Sequence, residues 1–135
     1  IALSHYNCEI YFISPQLLQI PEYYLNFLES KNIKYHVVED FREIGKNLDV
    51  LYCTRIQKER FSDEMEYKKV AGSYIIKKSD LDYLNDNTII MHPLPRVDEI
   101  AEDVDSDPRA IYFDQAENGV YVRECLLGLV LGTIY

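Results

Sequence analysis

Paired cysteines, a glycine-rich phosphate loop, an apolar run of membrane length and an excess of basic residues are all missing from this chain. Each absence removes a class of function. The three cysteines, Cys8, Cys53 and Cys125, are odd in number and widely spaced, with none of the pairings that zinc sites or dithiol exchange require. Cys53 lies within the apolar run Val50-Leu51-Tyr52-Cys53 and reads as a small buried hydrophobe. Together the cysteines imply a reduced, intracellular setting, with the cytoplasm as the expected location. His5, His36 and His92 are scattered, so no metal site is expected, and no strand runs into a nucleophile elbow. A formal net charge of -9 argues against nucleic acid or an anionic membrane as partner, because both need a basic face. No stretch reaches the length of a membrane span, and the N-terminus lacks the layout of a signal peptide. Ile1 is not an initiator methionine, so the expected reading is a cut or processed start, with room for a lost organelle-targeting segment.

What is present is ordinary globular composition: 135 residues, 47% hydrophobic and 27% charged, enough for one domain with a sizeable core. Four strands are expected at residues 9–14, 34–38, 50–54 and 88–91. Tyr11-Phe12-Ile13 and Ile89-Ile90-Met91 are continuous apolar runs, which suits parallel strands covered on both faces. Helical patterns lie between them. Pro21 suits the first turn of a helix carrying Tyr24, Leu25 and Leu28, with Asn32 as its stop. A short helix is expected over residues 42–46, and Ser79 is placed to cap one containing Leu81 and Leu84. Strand and helix in alternation imply right-handed crossovers, an α/β fold and a three-layer sandwich with a mainly parallel sheet.

Two stretches fit that scheme less readily. Residues 61–78 open with the acidic run Ser62-Asp63-Glu64-Met65-Glu66. They read more readily as a mobile loop over a site than as a helix ended by Gly72 with a strand at residues 73–76. From Val120 the chain should be helical, yet Leu126, Leu127, Leu129, Val130 and Leu131 point almost all round the axis. A surface helix carries an apolar stripe and a polar face. This one should be covered on more than one side, by an absent domain or a partner chain, or else lie centrally within its own domain.

Two loops carry the chemistry. The third strand runs into Thr54-Arg55-Ile56-Gln57-Lys58-Glu59-Arg60, and the fourth opens onto His92-Pro93-Leu94-Pro95-Arg96. In open α/β sheets, ligands bind beyond the carboxyl ends of the strands. Arg55, Lys58 and Arg60 form a positive cluster in an acidic chain. A solvated face is its usual reading, and its place directly after a strand favours an anion site. The Arg55 guanidinium stays charged and matches a carboxylate or phosphate in two parallel bonds, and Glu59 could hold that fork or merely pair with it on the surface. Gln57 can both donate to and accept from a substrate carrying an amine beside its carboxylates. Pro93 and Pro95 each remove an N–H donor and fix φ, so that rigid carbonyls are presented, which suits an NH₂ group. The Leu94–Pro95 bond is a candidate for cis. Alone, such a loop is a rigid turn and His92 a structural histidine.

Taken with Val97-Asp98-Glu99-Ile100 and Gln115-Ala116-Glu117-Asn118-Gly119, these loops resemble the aspartate carbamoyltransferase catalytic chains of the aspartate/ornithine carbamoyltransferase superfamily. The resemblance runs through essentially the whole chain. Ornithine enzymes typically carry a His-Cys-Leu-Pro loop and lack the Thr-Arg-x-Gln-Lys-Glu-Arg run, so Pro93 and Gln57 favour the aspartate enzymes. The resemblance implies carbamoyl transfer from carbamoyl phosphate to L-aspartate, early in pyrimidine synthesis, without metal or organic cofactor, by a homotrimer with shared sites. It assigns Arg55 to a substrate carboxylate and Gln57 to substrate placement. It gives the carbonyls of Pro93 and Leu94 to the carbamoyl nitrogen and Pro95 to a cis turn. Around these stand Glu59, which would orient Arg55; Arg60, which would bridge domains on closure; and His92 and Arg96 in support. Tyr67 and Asp98 match a pair expected to hydrogen-bond across a mobile loop.

Departures from the family define the expected extent. The family's Ser-Thr-Arg-Thr-Arg and His-Pro-x-Gln phosphate segments are absent, as is the Gly-Arg-Thr-Val-His-Ser segment that opens its aspartate domain. Residues 1–119 are therefore expected to be a Rossmann-like aspartate-binding domain truncated at its start, and residues 120–135 a C-terminal helix that packs on an absent carbamoyl-phosphate domain. Alone, the chain should be inactive. The competing readings are a non-catalytic α/β binding or assembly module, and a carbamoyltransferase for another amino acid.

Overall fold

The computed structural model describes residues 1–58, 61, 63–72 and 74–133, arranged in two compact units, Ile1–Ile44 and Gly45–Tyr135. The first unit is a strand–helix–strand motif. Strand β1 (Ile10–Ile13) is followed by helix α1 (Glu22–Ser30) and strand β2 (Tyr35–Val38), and the strands pair in parallel from Ile10↔Tyr35 to Ile13↔Val38. Pro21, with φ of -58°, leads into α1, and Glu22 puts a carboxylate at the positive end of the helix. At the other end Asn32 takes φ of 55°, the left-handed region that asparagine tolerates, and the Ile33 N–H turns back to the Leu28 carbonyl at 3.0 Å. Leu28, only 3% exposed, is the buried anchor of the helix. The crossover therefore ends as Asn32 led us to expect. The short helix expected at residues 42–46 is instead two 3₁₀ turns, Phe41–Glu43 and Gly45–Asn47, the first capped by Asp40, which accepts from the Arg42 N–H at 2.9 Å.

In the second unit strand β3 (Val50–Tyr52), helix α2 (Glu64–Val70) and strand β4 (Ile89–Met91) precede the long helix α3 (Tyr112–Val130). β3 and β4 are parallel, with Val50↔Ile89, Leu51↔Ile90 and Tyr52↔Met91 in register. The chain just before α3 extends this ladder, since Ile90 donates to the Arg109 carbonyl at 2.8 Å and accepts from the Ile111 N–H at 3.1 Å. Leu51, Ile90, Leu81, Leu84, Val104 and Tyr112 are buried at the centre. Close approach sets one glycine: a Cβ on Gly45 would lie 2.5 Å from the Tyr83 carbonyl oxygen. Mixed α/β architecture with parallel pairing and a C-terminal helix is thus observed. No helix among the described residues is long and apolar enough to cross a membrane.

Three expectations need correction. Residues 64–70 form a helix rather than a loop, because Asp63 caps it by accepting from the Met65 N–H at 2.8 Å and Val70 is buried to anchor it. In the alternative reading with a strand at residues 73–76, Ser73 lies outside the described residues and Ile76 makes an isolated parallel bridge to Ile100. Ser79 caps nothing: it lies within the 3₁₀ turn Lys78–Tyr83, whose start is closed by Asp80 accepting from the Lys77 N–H at 2.9 Å. The helix expected from Val120 already begins at Tyr112, and it runs unbroken through residue 119. Beyond its buried first residue it is open: Val122, Leu127 and Val130 are 57%, 62% and 83% exposed.

Candidate functional site

Parallel pairing in register brings the two sequence-predicted loops to one edge. β3 and β4 end side by side at Tyr52 and Met91, and the Cys53 N–H extends the ladder to the Met91 carbonyl at 2.8 Å. Thr54 to Gln57 therefore leave the ladder beside His92 to Arg96. Arg55 is exposed and Gln57 half-buried. Lys58 reaches forward to Glu64 at 3.3 Å, and its ammonium stands 5.6 Å from the centre of the Tyr67 ring. Glu59 and Arg60 lie outside the described residues.

The second loop is built from the inside. The Leu94–Pro95 bond is cis, and Leu94 has φ of 42°. A side chain in that left-handed region costs roughly 1–3 kcal/mol, so surrounding contacts must hold it. They come from His92, 1% exposed, whose Nδ1 accepts from the Leu94 N–H at 2.9 Å while Nε2 faces Glu99 Oε1 at 2.7 Å. The other Glu99 oxygen accepts from the N–H groups of Val97 and Asp98 at 3.1 and 3.0 Å. Burial works against the charged form of Glu99. Its own N–H, that of Val97, the His92 ring and the Asp98 N–H together outweigh that cost and lower its pKa. Gln115 of α3 accepts from the His92 N–H at 2.9 Å and donates to the Tyr52 hydroxyl at 3.3 Å, fastening the loop to β3.

Arg96 is committed elsewhere. Its guanidinium grips Asp105 through both oxygens, the longer contact at 2.6 Å, and donates to the Tyr112 hydroxyl at 3.2 Å, while that hydroxyl itself donates to Asp105. Arg96 lowers the Asp105 pKa, and burial together with Asp105 pushes the Tyr112 phenol up to about 12. Tyr67 and Asp98 do not hydrogen-bond to each other here. The Tyr67 ring turns edge-on to Phe61, 5.6 Å away, and the Asp98 N–H is taken by Glu99.

Between the loop and α3 lies a cavity of about 690 Å³, bounded by Pro93, Leu94, Pro95, Phe113, Ala116 and Arg123. Arg55 and Gln57 are not among its lining residues. Arg123 donates to the Gly119 carbonyl at 3.0 Å, its guanidinium lying close over the glycine. Chemically, the loop offers carbonyl acceptors and Arg123 offers a cation. No cluster suited to a metal ion occurs among the described residues. Sequence reasoning missed Glu99, Gln115 and Arg123. Their partners are remote or irregularly spaced, and the only signal was that Glu99 and Gln115 fall within the two motifs.

Over residues 1–130 the chain matches the family described as aspartate/ornithine carbamoyltransferase, Asp/Orn binding domain. It is 52% identical over 130 residues to the aspartate carbamoyltransferase catalytic subunit 2 of Shewanella halifaxensis, covering 96% of this chain and 42% of that protein. With the catalytic subunit from Thermococcus onnurineus it shares 50% identity over 133 residues, 98% of this chain and 43% of that one. Among solved structures, the catalytic subunit of M. jannaschii aspartate transcarbamoylase superposes with a TM-score of 0.87 at 47% identity, over 98% of this chain and 44% of that chain. The Trypanosoma cruzi aspartate transcarbamoylase in complex with N-(phosphonacetyl)-L-aspartic acid gives 0.76 at 33% identity, over 88% and 39%. The chain thus spans less than half the length of the curated relatives it matches.

Proposed function

The chain belongs to the aspartate/ornithine carbamoyltransferase family, as its Asp/Orn-binding domain, and from that premise we propose that it is the aspartate-binding part of an aspartate carbamoyltransferase. The reaction is transfer of a carbamoyl group from carbamoyl phosphate to the amine of L-aspartate, as an early step of pyrimidine synthesis in the cytoplasm. The amine nitrogen bonds to the carbamoyl carbon, the bond from that carbon to the phosphate oxygen breaks, and phosphate leaves with the electron pair as the amine loses a proton. One observation carries the reading: the Arg55 loop and the proline-stiffened bend leave one ladder edge side by side. Pro93 and Gln57 favour aspartate over ornithine, and the relatives named above are aspartate enzymes.

Arg55 takes a carboxylate of aspartate, Gln57 helps place the substrate, and the Pro93 and Leu94 carbonyls receive the carbamoyl NH₂. Glu59 orients Arg55, Arg60 spans the domains on closure, and the Tyr67–Asp98 pair belongs to the open form. Positioning two reactants at roughly 3–3.5 Å can supply about 7–11 kcal/mol toward a bimolecular barrier, and fixed dipoles favour the tetrahedral oxyanion. Residues 1–119 form the amino-acid domain, and residues 120–135 pack on a carbamoyl-phosphate domain within a homotrimer. Support for this lies in the greater length of the relatives and in the uncovered apolar surface of α3.

The test is binding of a bisubstrate analogue joining a phosphonate to aspartate, in the full-length polypeptide. Arg55→Ala should weaken it by about 2–5 kcal/mol, the usual cost of stripping one partner from a charge pair, and Arg55→Lys should restore little. Indifference to Arg55→Ala would favour a non-catalytic module. Preference for an ornithine-based analogue would move the assignment to another amino acid.

A further inference from the structure

The bend at residues 92–99 is organised by two buried titratable side chains for which the proposed chemistry has no direct use. His92 and Glu99 are 1% and 7% exposed. Because Nδ1 accepts from the Leu94 N–H, it carries no proton, and Nε2 must donate to Glu99. The ring is therefore neutral and held in one tautomer, with Glu99 locked in turn by the N–H groups of Val97 and Asp98. Ring nitrogen to the N–H two residues on is the geometry of an Asx turn, with imidazole in place of a carboxamide. It supports Leu94 at φ of 42°, where leucine rarely sits unaided. The Cys53 thiol is held protonated chiefly by burial and also by the charge of Glu99.

We propose that Glu99 and His92 are positioning residues: the carboxylate selects the Nε2–H tautomer, leaving Nδ1 to hold the Leu94 N–H and so to fix the bend that bears the Pro93 and Leu94 carbonyls. The inference rests on the carbamoyltransferase reading, in which those carbonyls receive the carbamoyl nitrogen.

Two substitutions at one position separate positioning from mere packing. His92→Asn keeps an oxygen where Nδ1 was and can still accept from Leu94, but it loses Glu99. His92→Gln keeps a donor toward Glu99 and loses the acceptor for Leu94. In the full-length polypeptide, His92→Gln should lower kcat/KM for carbamoyl phosphate by about 100-fold, the scale of a misplacement near 1 Å, and His92→Asn by about tenfold or less. Equal losses, or losses that follow the melting temperature of each variant, overturn the proposal. Long-range ¹⁵N–¹H NMR of the unmodified full-length polypeptide reads the ring directly. Neutral Nε2–H is expected at pH 7, and a charged ring or an Nδ1–H tautomer overturns the inference without any variant having to fold. Absence of carbamoyl transfer in the unmodified full-length polypeptide would defeat the functional reading instead, leaving the NMR result standing.

Discussion

Tyr112 shows how far one residue's chemistry can be set by its neighbours. It is fully buried, shares Asp105 with Arg96, and has its phenol pushed up to about 12, first by burial and then by the carboxylate. A folded pKa raised above the unfolded value of roughly 10 means stability present below pH ~10 and lost as the pH climbs through the folded value. Tyr11 and Tyr35 are raised as well by their carboxylate partners, so absorbance titration should show late phenol ionisation that Tyr112→Phe reduces by one residue. Asp105→Asn should cost about 1–3 kcal/mol in urea unfolding, since the Arg96 guanidinium loses its charged acceptor. Cysteine reactivity divides similarly. Burial chiefly, with Glu99 adding to it, takes the Cys53 thiol to about 12, whereas Cys125 is exposed on α3. Mass-spectrometric mapping of iodoacetamide labelling at pH 8 should find Cys125 modified first and Cys53 far behind; equal rates would mean that Cys53 is not shielded. Residue-level chemistry was the least legible part of the sequence. Arg55 and the two prolines announce themselves by type and place, but Glu99 matters only because the bend folds back on His92, and no periodicity encodes that return.

At the scale of elements, legibility followed the source of each element's stability. β1 to β4 were readable because apolar runs are local, and their observed bounds fall inside the expected ones. α2 was misread because its pattern is short and acidic, and what decides it is a cap at Asp63 and burial of Val70, the latter a tertiary fact. α3 is the opposite case. Its all-round apolar sequence was conspicuous, and the structure leaves Leu126, Leu127 and Leu129 each more than half exposed. Such positions add nothing to the stability of this chain by itself. Leu127→Glu with Leu129→Lys should therefore shift the unfolding free energy by no more than about 0.5 kcal/mol per site while reducing self-association measured by sedimentation velocity. By contrast Ile90→Ala, at 0% exposure in the middle of β4, should cost about 2–5 kcal/mol. If the α3 pair proved as costly as Ile90→Ala, the helix would be covered within the chain.

For the whole molecule, charge is the governing quantity. On the proposed function, a body with net charge -9 repels the two anionic substrates, carbamoyl phosphate and aspartate, so binding would need local cations that overcome the general field. Arg55 stands beside β3 and Arg123 at the cavity, while Lys58 is paired with Glu64, Arg96 with Asp105 and Arg109 with Asp107. The two arginines that line the cavity, Arg123 already donating to a helix carbonyl and Arg96 paired with Asp105, are a poor match for a phosphate that must be held while its bond breaks. On the proposed carbamoyltransferase reading, the strong anion site of the reaction is expected from the remainder of the full-length polypeptide. The isolated chain should accordingly form no carbamoyl aspartate from carbamoyl phosphate and L-aspartate, by colorimetric or radiolabel assay, at any ionic strength. Added salt tests the argument from the other side. Screening shortens the reach of the negative field to about 8 Å at 0.15 M, so repulsion alone would be relieved and turnover would appear as salt rises. A missing phosphate site cannot be restored that way. Activity that emerges with salt would place the whole reaction within these 135 residues and overturn the two-domain reading.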